Sequence, residues 1–191
     1  MKYDLFISHD VKDRSGFTTQ LVLGLKQSGL KVWYSSHDLK PGDDLPTEIK
    51  WAMDNSRFGL PIFTSNYMES NWGMQEFNYL MIKEKIEKRK VIIPIWHNIT
   101  LNEIIRKMPM EANRFAINSN KGIDRVVQNV NITIRKQLSL ENSHKKILTL
   151  LSFSTIFITS GLFYLSFKEG KIAPNKKQAI DLEKTLPAMA R

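Results

Sequence analysis

The sequence predicts an α/β fold in which a parallel β-sheet carries helices on both of its faces. Short apolar runs alternate along the chain with longer stretches in which apolar residues recur every three or four positions, and this alternation is typical of repeated β-α-β units. One run, Val91–Trp96, is apolar at nearly every position, which is the pattern of a strand buried on both faces of a parallel sheet. The composition, 42% apolar and 25% charged, is that of a folded protein.

Five strands are predicted from short runs rich in branched and aromatic apolar residues. They are Tyr3–Ile7, Leu30–Tyr34, Phe58–Phe63, Val91–Trp96 and a weaker one at Arg114–Ile117. A loop that contains Pro41-Gly42 follows the second strand. Functional sites in such sheets lie beyond the carboxyl ends of the strands. The first four of these ends are Ser8-His9, Tyr34-Ser35, Thr64-Ser65 and Trp96-His97.

Five helices are predicted from the helical spacing of apolar residues. The first has apolar residues at positions 17, 21, 22, 25 and 30, and Gly29 is a stop signal near its end. Asp43-Asp44 precede the second helix, where a carboxylate can cap the free backbone N–H groups. The predicted helices are Phe17–Leu30, Leu45–Asn55, Trp72–Lys88, Leu101–Lys107 and Ile123–Leu138.

A further apolar segment near the end of the chain has the length of a membrane-spanning helix. Residues 147–167 contain no charged side chain, and at about 1.5 Å rise per residue such a helix spans roughly 30 Å, the thickness of a hydrocarbon core. Lysines lie on both sides of the segment, so the distribution of positive charge does not decide its orientation. A buried core helix is the alternative, although core helices are usually shorter and carry a polar face.

The predicted organisation is therefore one folded domain followed by a membrane anchor. The domain covers residues 1–138, a basic juxtamembrane linker covers 139–146, the transmembrane helix covers 147–167, and a short flexible tail covers 168–191. The start of the chain runs directly into the first strand without the features of a signal peptide. We therefore expect a single-pass membrane protein whose N-terminal domain faces the cytoplasm.

Composition excludes several classes of site. The chain has no cysteine, which excludes a disulfide framework, a Cys-based metal site and a Cys nucleophile. The net charge is +9, and the basic residues are densest after residue 140, which favours anionic lipid headgroups over nucleic acid as a charged partner. His97 at the end of the fourth strand stands alone, so we predict no metal site. The sequence shows neither a basic stripe interleaved with aromatic residues nor a helix-turn-helix or zinc-finger spacing, so we predict no nucleic-acid partner.

Three motifs carry a resemblance to a known family. They are Tyr3-Asp-Leu-Phe-Ile-Ser-His9, Asp38-Leu-Lys-Pro-Gly-Asp-Asp-Leu45 and Asn71-Trp-Gly-Met-Gln-Glu-Phe77. In this order, on the predicted strands and helices, they resemble a TIR (Toll/interleukin-1 receptor) domain of bacterial type. The resemblance covers about residues 1–138 and implies the TIR fold, a flavodoxin-like parallel sheet of about five strands with helices on both faces.

Catalytic members of this family cleave NAD⁺ at the bond between nicotinamide and ribose, and the resemblance implies the same substrate here, with no cofactor. Glu76 matches the family's catalytic glutamate. Trp72 lies four residues earlier, on the same helical face. The resemblance further implies substrate contacts from Ser8, His9, Trp33, Asp38 and Trp72. Two positions depart from the family pattern: Gly73 stands where many members carry cysteine, and Gln75 where bacterial relatives commonly carry an aromatic residue.

Structural roles remain open for several of these residues. A glutamate on a helix is often only solvated, and Trp72 could be a core anchor. For Trp33, packing is as good an explanation as ligand stacking, and His9 could simply finish a turn.

Assembly is the expected switch, because in catalytic relatives a neighbouring subunit completes the site. The resemblance thus implies a membrane-tethered NAD⁺ nucleosidase activated by oligomerisation, with bacterial antiphage defence as its setting. The expected oligomerisation loop consists of Asp38, Leu39, Lys40, Pro41, Gly42, Asp43, Asp44 and Leu45.

Two alternatives from other functional classes remain. The first is a non-catalytic adaptor that acts through TIR–TIR binding by the same loop. The second is a pore-former, supported only by a stripe of small polar residues at Ser152, Thr155, Thr159 and Ser166 in the apolar segment.

Overall fold

The structure, a computed structural model, describes residues 1–34, 44–109, 111–112, 114 and 116–168, and among these it leaves out the side chains at 145, 150, 152–164 and 166–168. The chain divides into two units, Met1–Leu138 and Ser139–Arg191. The first unit contains the sheet. The second contains the end of the last helix, which begins at Ile123 and ends at Lys168.

Five parallel strands form the sheet, as the sequence predicts. They are β1 (Tyr3–Ser8), β2 (Val32–Trp33), β3 (Ser56–Phe63), β4 (Ile95–Trp96) and β5 (Ile117–Asn118). Their order across the sheet is β2-β1-β3-β4-β5, and every neighbouring pair is parallel. This is the flavodoxin-like order, in which the chain reverses direction across the sheet between β1 and β3.

Six helices connect and cover the described strands. They are α1 (Thr19–Gln27), α2 (Leu45–Asn55), α3 (Ser65–Glu69), α4 (Asn71–Glu87), α5 (Leu101–Lys107) and α6 (Ile123–Lys168). Polar side chains set their starts, because the first N–H groups of a helix lack partners within it. The carboxylate of Asp44 accepts from the N–H of Thr47 at 3.2 Å, as predicted for the start of α2. Thr100 and Glu103 form a reciprocal capping box on α5.

The two faces of the sheet bury separate apolar cores, because successive side chains of a strand point to opposite faces. Leu5 and Ile7 lie in the core that α1 and α6 cover, whereas Phe6 lies in the core that α2, α4 and α5 cover. Leu80 packs against Gly59 of β3 and occupies the space that a Cβ at this position would need. Each fully buried Leu, Ile or Phe stabilises the domain by roughly 1.5–3 kcal/mol.

Strand β4 is shorter than the predicted Val91–Trp96. The N–H groups of Val91 and Ile92 both donate to Oε2 of Glu84, at 2.8 and 2.9 Å, and Pro94 has no N–H to contribute to the ladder. Only an isolated bridge between Gly59 and Ile92 precedes the regular pairing at Ile95–Trp96.

Three other boundaries differ from the prediction. Strand β5 begins at Ile117 instead of Arg114, whose guanidinium forms ion pairs with Glu84 at 2.7 Å and Glu111 at 2.6 Å. Helix α3 was not predicted, because its five residues are too few to show helical periodicity. Helix α6 continues past the predicted end at Leu138.

Within the part of the chain that the structure describes, no helix combines the length and apolar character needed to cross a membrane. The predicted transmembrane helix at residues 147–167 therefore has no support from the described residues.

Lys83 links α4 to the end of α2 by hydrogen bonds. Its Nζ donates to three backbone carbonyls, those of Met53 at 2.5 Å, Ser56 at 2.9 Å and Asp54 at 3.1 Å. The last carbonyls of a helix have no partner within it, and here a buried ammonium group supplies one. Burial lowers the pKa of Lys83 below its ordinary value.

Replacing Lys83 with methionine should lower the free energy of unfolding by about 2–3 kcal/mol, because buried carbonyls lose their donor. Urea unfolding of the full chain measures the change. Lys85→Met is the matched control, since Lys85 lies on the same helix but is exposed, and it should change the free energy of unfolding by less than about 0.5 kcal/mol. Equal losses in the two variants would contradict this role for Lys83.

Candidate active site

The first turns of α4 reach the carboxyl ends of β1 and β3. These strands are parallel neighbours, so their ends meet at one edge of the sheet. Ser70 caps the start of α4, and its hydroxyl accepts from the N–H of Gly73 at 3.2 Å. From this start the helix places Glu76 against both Ser8, the last residue of β1, and Trp72.

Both carboxylate oxygens of Glu76 accept a hydrogen bond. The Ser8 hydroxyl donates to Oε2 at 2.5 Å, and the indole N–H of Trp72 donates to Oε1 at 2.6 Å. The Glu76 residue is only 6% exposed. These two donors, one from β1 and one from α4 itself, fix the orientation of the carboxyl group, and their short distances are typical of bonds to an ionised acceptor.

Burial controls the titration of this carboxyl group. Removal from water disfavours the charged form and raises the pKa of Glu76 to about 7, while the hydrogen bonds from Ser8 and Trp72 act in the opposite direction. A carboxyl group at a strand-end cleft that titrates near neutral pH has the character of a catalytic acid or base.

Ser8 has a second buried partner, which the sequence analysis missed. The hydroxyls of Ser8 and Tyr67 are 2.7 Å apart, and Tyr67 of α3 is fully buried. Burial and the charge of Glu76 raise the pKa of Tyr67 well above its ordinary value. The sequence carried no specific signal for this residue, because α3 shows no periodicity.

Gly73 leaves room for this tyrosine. A Cβ at Gly73 would lie 3.0 Å from Cε2 of Tyr67, which is tighter than an ordinary van der Waals contact. A side chain at position 73 would thus require the Tyr67 ring to shift.

A cavity of about 170 Å³ opens beside Glu76. Its lining combines the carboxylate with apolar, aromatic and charged side chains, which include His9, Asp10, Arg14, Trp33, Leu45 and Trp72. A second cavity of about 210 Å³ shares Trp72 and Glu76 and is otherwise lined by residues such as Lys50 and Tyr79. Ligand sites commonly occupy about 300–1,000 Å³, so the first cavity holds one ring system rather than a dinucleotide.

The structure also contains a larger cavity, of about 570 Å³, beside β5. Its described lining consists of lysine, amide, threonine and aliphatic side chains without a carboxylate. We therefore locate the candidate site by the buried carboxylate and not by cavity size.

Five of the six residues predicted to form the site come together at the first cavity or beside it. Trp72 is 37% exposed, so part of its indole ring remains accessible. His9 is buried, and burial together with the charge of Arg14 lowers the pKa of its imidazole to about 4, which keeps the ring neutral at physiological pH. Trp33 is buried in the core and stacks on Phe6 with ring centroids 5.2 Å apart, although it also lines the cavity.

Asp38, the sixth, lies outside the described residues, as do Leu39, Lys40, Pro41, Gly42 and Asp43 of the predicted oligomerisation loop. Of this loop the structure describes Asp44, which caps α2, and Leu45, which lines the cavity. Among the described residues, no group of His, Asp or Glu side chains could hold a metal ion. Arg14 is a cavity residue that the sequence analysis did not single out.

Comparison with known proteins identifies the family. A family profile described as the TIR domain matches residues 5–131. The chain belongs to the TIR domain family. The TIR domain of the Toll-related receptor TRR-2 from Hydra magnipapillata has the same fold: it is 20% identical, its TM-score is 0.56, and the match covers 70% of this chain and 98% of that one.

Two curated relatives of this TIR domain are named as an NAD(+) hydrolase and as a 2' cyclic ADP-D-ribose synthase. The chain is 38% identical over 136 residues to the NAD(+) hydrolase TcpA of Theionarchaea archaeon (strain DG-70-1), and this match covers 71% of this chain and 41% of TcpA. It is 35% identical over 130 residues to the 2' cyclic ADP-D-ribose synthase BtTIR of Bacteroides thetaiotaomicron, and that match covers 68% of this chain and 45% of BtTIR. The chain thus spans less than half the length of these two relatives.

The buried carboxyl group of this TIR domain should reduce its stability as pH rises. The pKa of Glu76 is about 7 in the folded protein against an ordinary value of about 4.5, so the unfolded chain releases this proton at a lower pH than the folded protein does. The contribution of the protonated carboxyl group to the free energy of unfolding is then lost between about pH 4.5 and 7, to an extent on the order of 3 kcal/mol. Glu76→Gln, which removes the ionisation, should therefore be more stable than the native chain at pH 8 and similar to it at pH 5.

Urea unfolding of both full-length chains at the two pH values measures this difference. Glu69→Gln is the control, because Glu69 is exposed and its ion pair with Lys107 lowers its pKa. That variant should show no gain in stability at pH 8. A Glu76→Gln effect of the same size at pH 5 and pH 8 would contradict the raised pKa.

Proposed function

We propose that this TIR domain cleaves NAD⁺ at the bond between nicotinamide and ribose, with Glu76 as the catalytic carboxylate. The observation that carries the proposal is the buried carboxyl group of Glu76, held by Ser8 and Trp72 beside a cavity at the strand ends. The names of the relatives TcpA and BtTIR, an NAD(+) hydrolase and a 2' cyclic ADP-D-ribose synthase, support it.

The chemistry of the substrate suits a single carboxylate. Nicotinamide is cationic in NAD⁺ and departs as a neutral molecule, so its departure needs no general acid. Positive charge develops on the ribose as the bond breaks, much as in glycoside hydrolysis. Ionised Glu76 beside this ribose stabilises that charge more strongly in the transition state than in the ground state.

The hydrogen bonds of Glu76 leave it the capacity to contact substrate. A carboxylate offers about four lone-pair positions, and Ser8 and Trp72 occupy two of them. A ribose hydroxyl can donate to a third. The accessible part of the Trp72 ring offers an apolar surface on which nicotinamide can stack.

Cavity size supports activation by assembly. The nicotinamide riboside end is the part of the substrate that reaches Glu76, and a cavity of about 170 Å³ leaves the adenosine end outside it. We propose that the loop at positions 38–45 of a neighbouring copy contributes to binding this end, which makes the TIR domain most active when it self-associates.

We further propose that residues 147–167 tether the protein to a membrane, with the TIR domain on the cytoplasmic side. The 147–167 segment lacks charged side chains, and helix α6 continues through it to Lys168. Confinement to a surface raises the effective concentration of the domain, so weak contacts are enough for assembly. A role in antiphage defence by NAD⁺ depletion extends this proposal by analogy with the family alone.

Glu76→Gln should lower the rate of nicotinamide release by about 10²–10³-fold, because one preorganised charge at the reacting centre is removed. Chromatography of reactions that contain NAD⁺ and the clustered full chain measures this rate. Glu69→Gln is the matched control, since it makes the same chemical change at an exposed glutamate outside the cavity, and its rate should equal that of the native chain. If Glu76→Gln kept the native rate, the catalytic assignment would be wrong. A clustered native chain that binds another TIR domain without consuming NAD⁺ would favour the adaptor.

Reconstitution tests the membrane tether. The full chain should float with liposomes and release nicotinamide faster per molecule as its surface density rises. Ile156→Lys combined with Ile158→Lys should abolish flotation, because each charge near the centre of a spanning helix costs about 2.5–3.5 kcal/mol. Flotation that survives both lysines would contradict a spanning helix, and leakage of an enclosed dye would favour the pore-former.

A further inference from the structure

Three buried groups from three elements form one hydrogen-bonded chain. The Tyr67 hydroxyl from α3 lies 2.7 Å from Oγ of Ser8 on β1, and that Oγ lies 2.5 Å from Oε2 of Glu76 on α4. Tyr67 and Ser8 are fully buried and Glu76 is nearly so. Solvent therefore does not readily supply partners for Tyr67 and Ser8, and the number of protons in the chain determines which of their arrangements are satisfied.

Ionised Glu76 satisfies every group in this chain. The Tyr67 hydroxyl donates to Ser8, the Ser8 hydroxyl donates to Oε2 of Glu76, and the Trp72 indole donates to Oε1. Each O–H and N–H then has an acceptor, and each carboxylate oxygen has a donor.

Protonated Glu76 fits this chain less well. A proton on Oε1 cannot take the position that the Trp72 indole occupies, because that indole can only donate. A proton on Oε2 would be donated to Ser8, whose own proton would turn to the Tyr67 oxygen. The Tyr67 proton would then have no acceptor among the described residues, because its hydroxyl contacts only Ser8 there. A buried donor without an acceptor is unfavourable.

We propose that Tyr67 is a positioning residue that acts through Ser8 to keep Glu76 ionised and oriented for NAD⁺ cleavage. The functional part of this inference rests on the proposed function, whereas the effect on Glu76 ionisation does not.

Charges around Glu76 are consistent with this role. Asp10, Arg14 and neutral His9 share its first cavity, and Lys50 and Tyr79 share the second. The groups that lower the pKa of Glu76 against burial are nonetheless the two hydrogen-bond donors, Ser8 first and then Trp72. The raised pKa of Tyr67 keeps its proton available as the first donor of the chain.

The packing of α4 supports the same role. Gly73 lies one turn before Glu76, and the missing Cβ leaves the space in which the Tyr67 ring reaches Ser8. Helix α4 thus carries both the carboxylate at the end of the chain and the gap that admits the tyrosine at its start.

Tyr67→Phe tests the inference, because it removes one hydroxyl and keeps the ring. Without the first donor, the Ser8 hydroxyl becomes a weaker donor to Glu76. The acidic limb of kcat/KM for nicotinamide release should move upward by about 0.5–1 pH unit, which is a roughly 3- to 10-fold loss at pH 6. At pH 9, where Glu76 is ionised in both proteins, the rates should agree within about twofold. KM at pH 9 should stay unchanged.

A titration without substrate separates this inference from the proposed function. The ¹³C-carboxyl resonance of Glu76, assigned in the labelled full chain by its loss in Glu76→Gln, should titrate at higher pH in Tyr67→Phe. Tyr34→Phe is the matched control, because Tyr34 is also fully buried but its hydroxyl donates to the Arg14 carbonyl, and its midpoint should equal that of the native chain.

Two results would overturn the inference: a midpoint in Tyr67→Phe equal to the native one, or a loss of activity of the same size at every pH. A shifted midpoint in a chain that never consumes NAD⁺ would leave the ionisation role standing and refute the proposed function. If Tyr67→Phe does not fold, Gly73→Ala, which crowds the ring and retains the hydroxyl, must raise the midpoint, and an unmoved midpoint there refutes the role of Tyr67.

Discussion

Burial of the Glu76 carboxyl group is the constraint on which the rest of this site depends. A charged group removed from water is unfavourable unless donors replace its hydration. Here the donors are Ser8 and Trp72, and they come from different elements of the domain. The scaffold must therefore hold β1 and α4 at fixed distances, because a carboxylate that lost either donor would readily take up a proton.

The elements around the site are fastened by polar contacts at their ends. Asp13, in the segment after β1, accepts hydrogen bonds from Thr64 and, at 2.8 Å, from Asn66, which ties that segment to the start of α3. Lys83 fastens the other part of α4 to α2, and Glu84 binds the backbone of Val91 and Ile92 ahead of β4. Side chains that make several hydrogen bonds at once hold these elements together better than isolated surface ion pairs do.

The sequence was sufficient for the sheet, because the alternation of strands and helices is a strong pattern. The expectation that Ser8 and Glu76 share one cleft also needed the family resemblance, and the hydrogen bond between them was not predicted. Alternation of strands and helices predicts parallel neighbours, and parallel neighbours bring strand ends together. Tyr67 could not be predicted in this way, since α3 has five residues and its partner is 59 positions away in the sequence. The early interruption of β4 was also hidden, because a side chain of α4 replaces the neighbouring strand as acceptor. For Trp33 the sequence left packing and ligand contact open, and the stacking of its ring on Phe6 shows that it packs in the core.

The position of β1 inside the sheet has a consequence for protein synthesis. This first strand is paired on both sides, to β2 and to β3, and its last residue contacts a glutamate 68 positions later. When β1 leaves the ribosome, every one of these partners is still to be made. At roughly 5–20 residues per second the nascent chain waits several seconds before Glu76 emerges. A NAD⁺-cleaving site on this scaffold would thus be absent from nascent chains, and from released fragments, that end before Glu76.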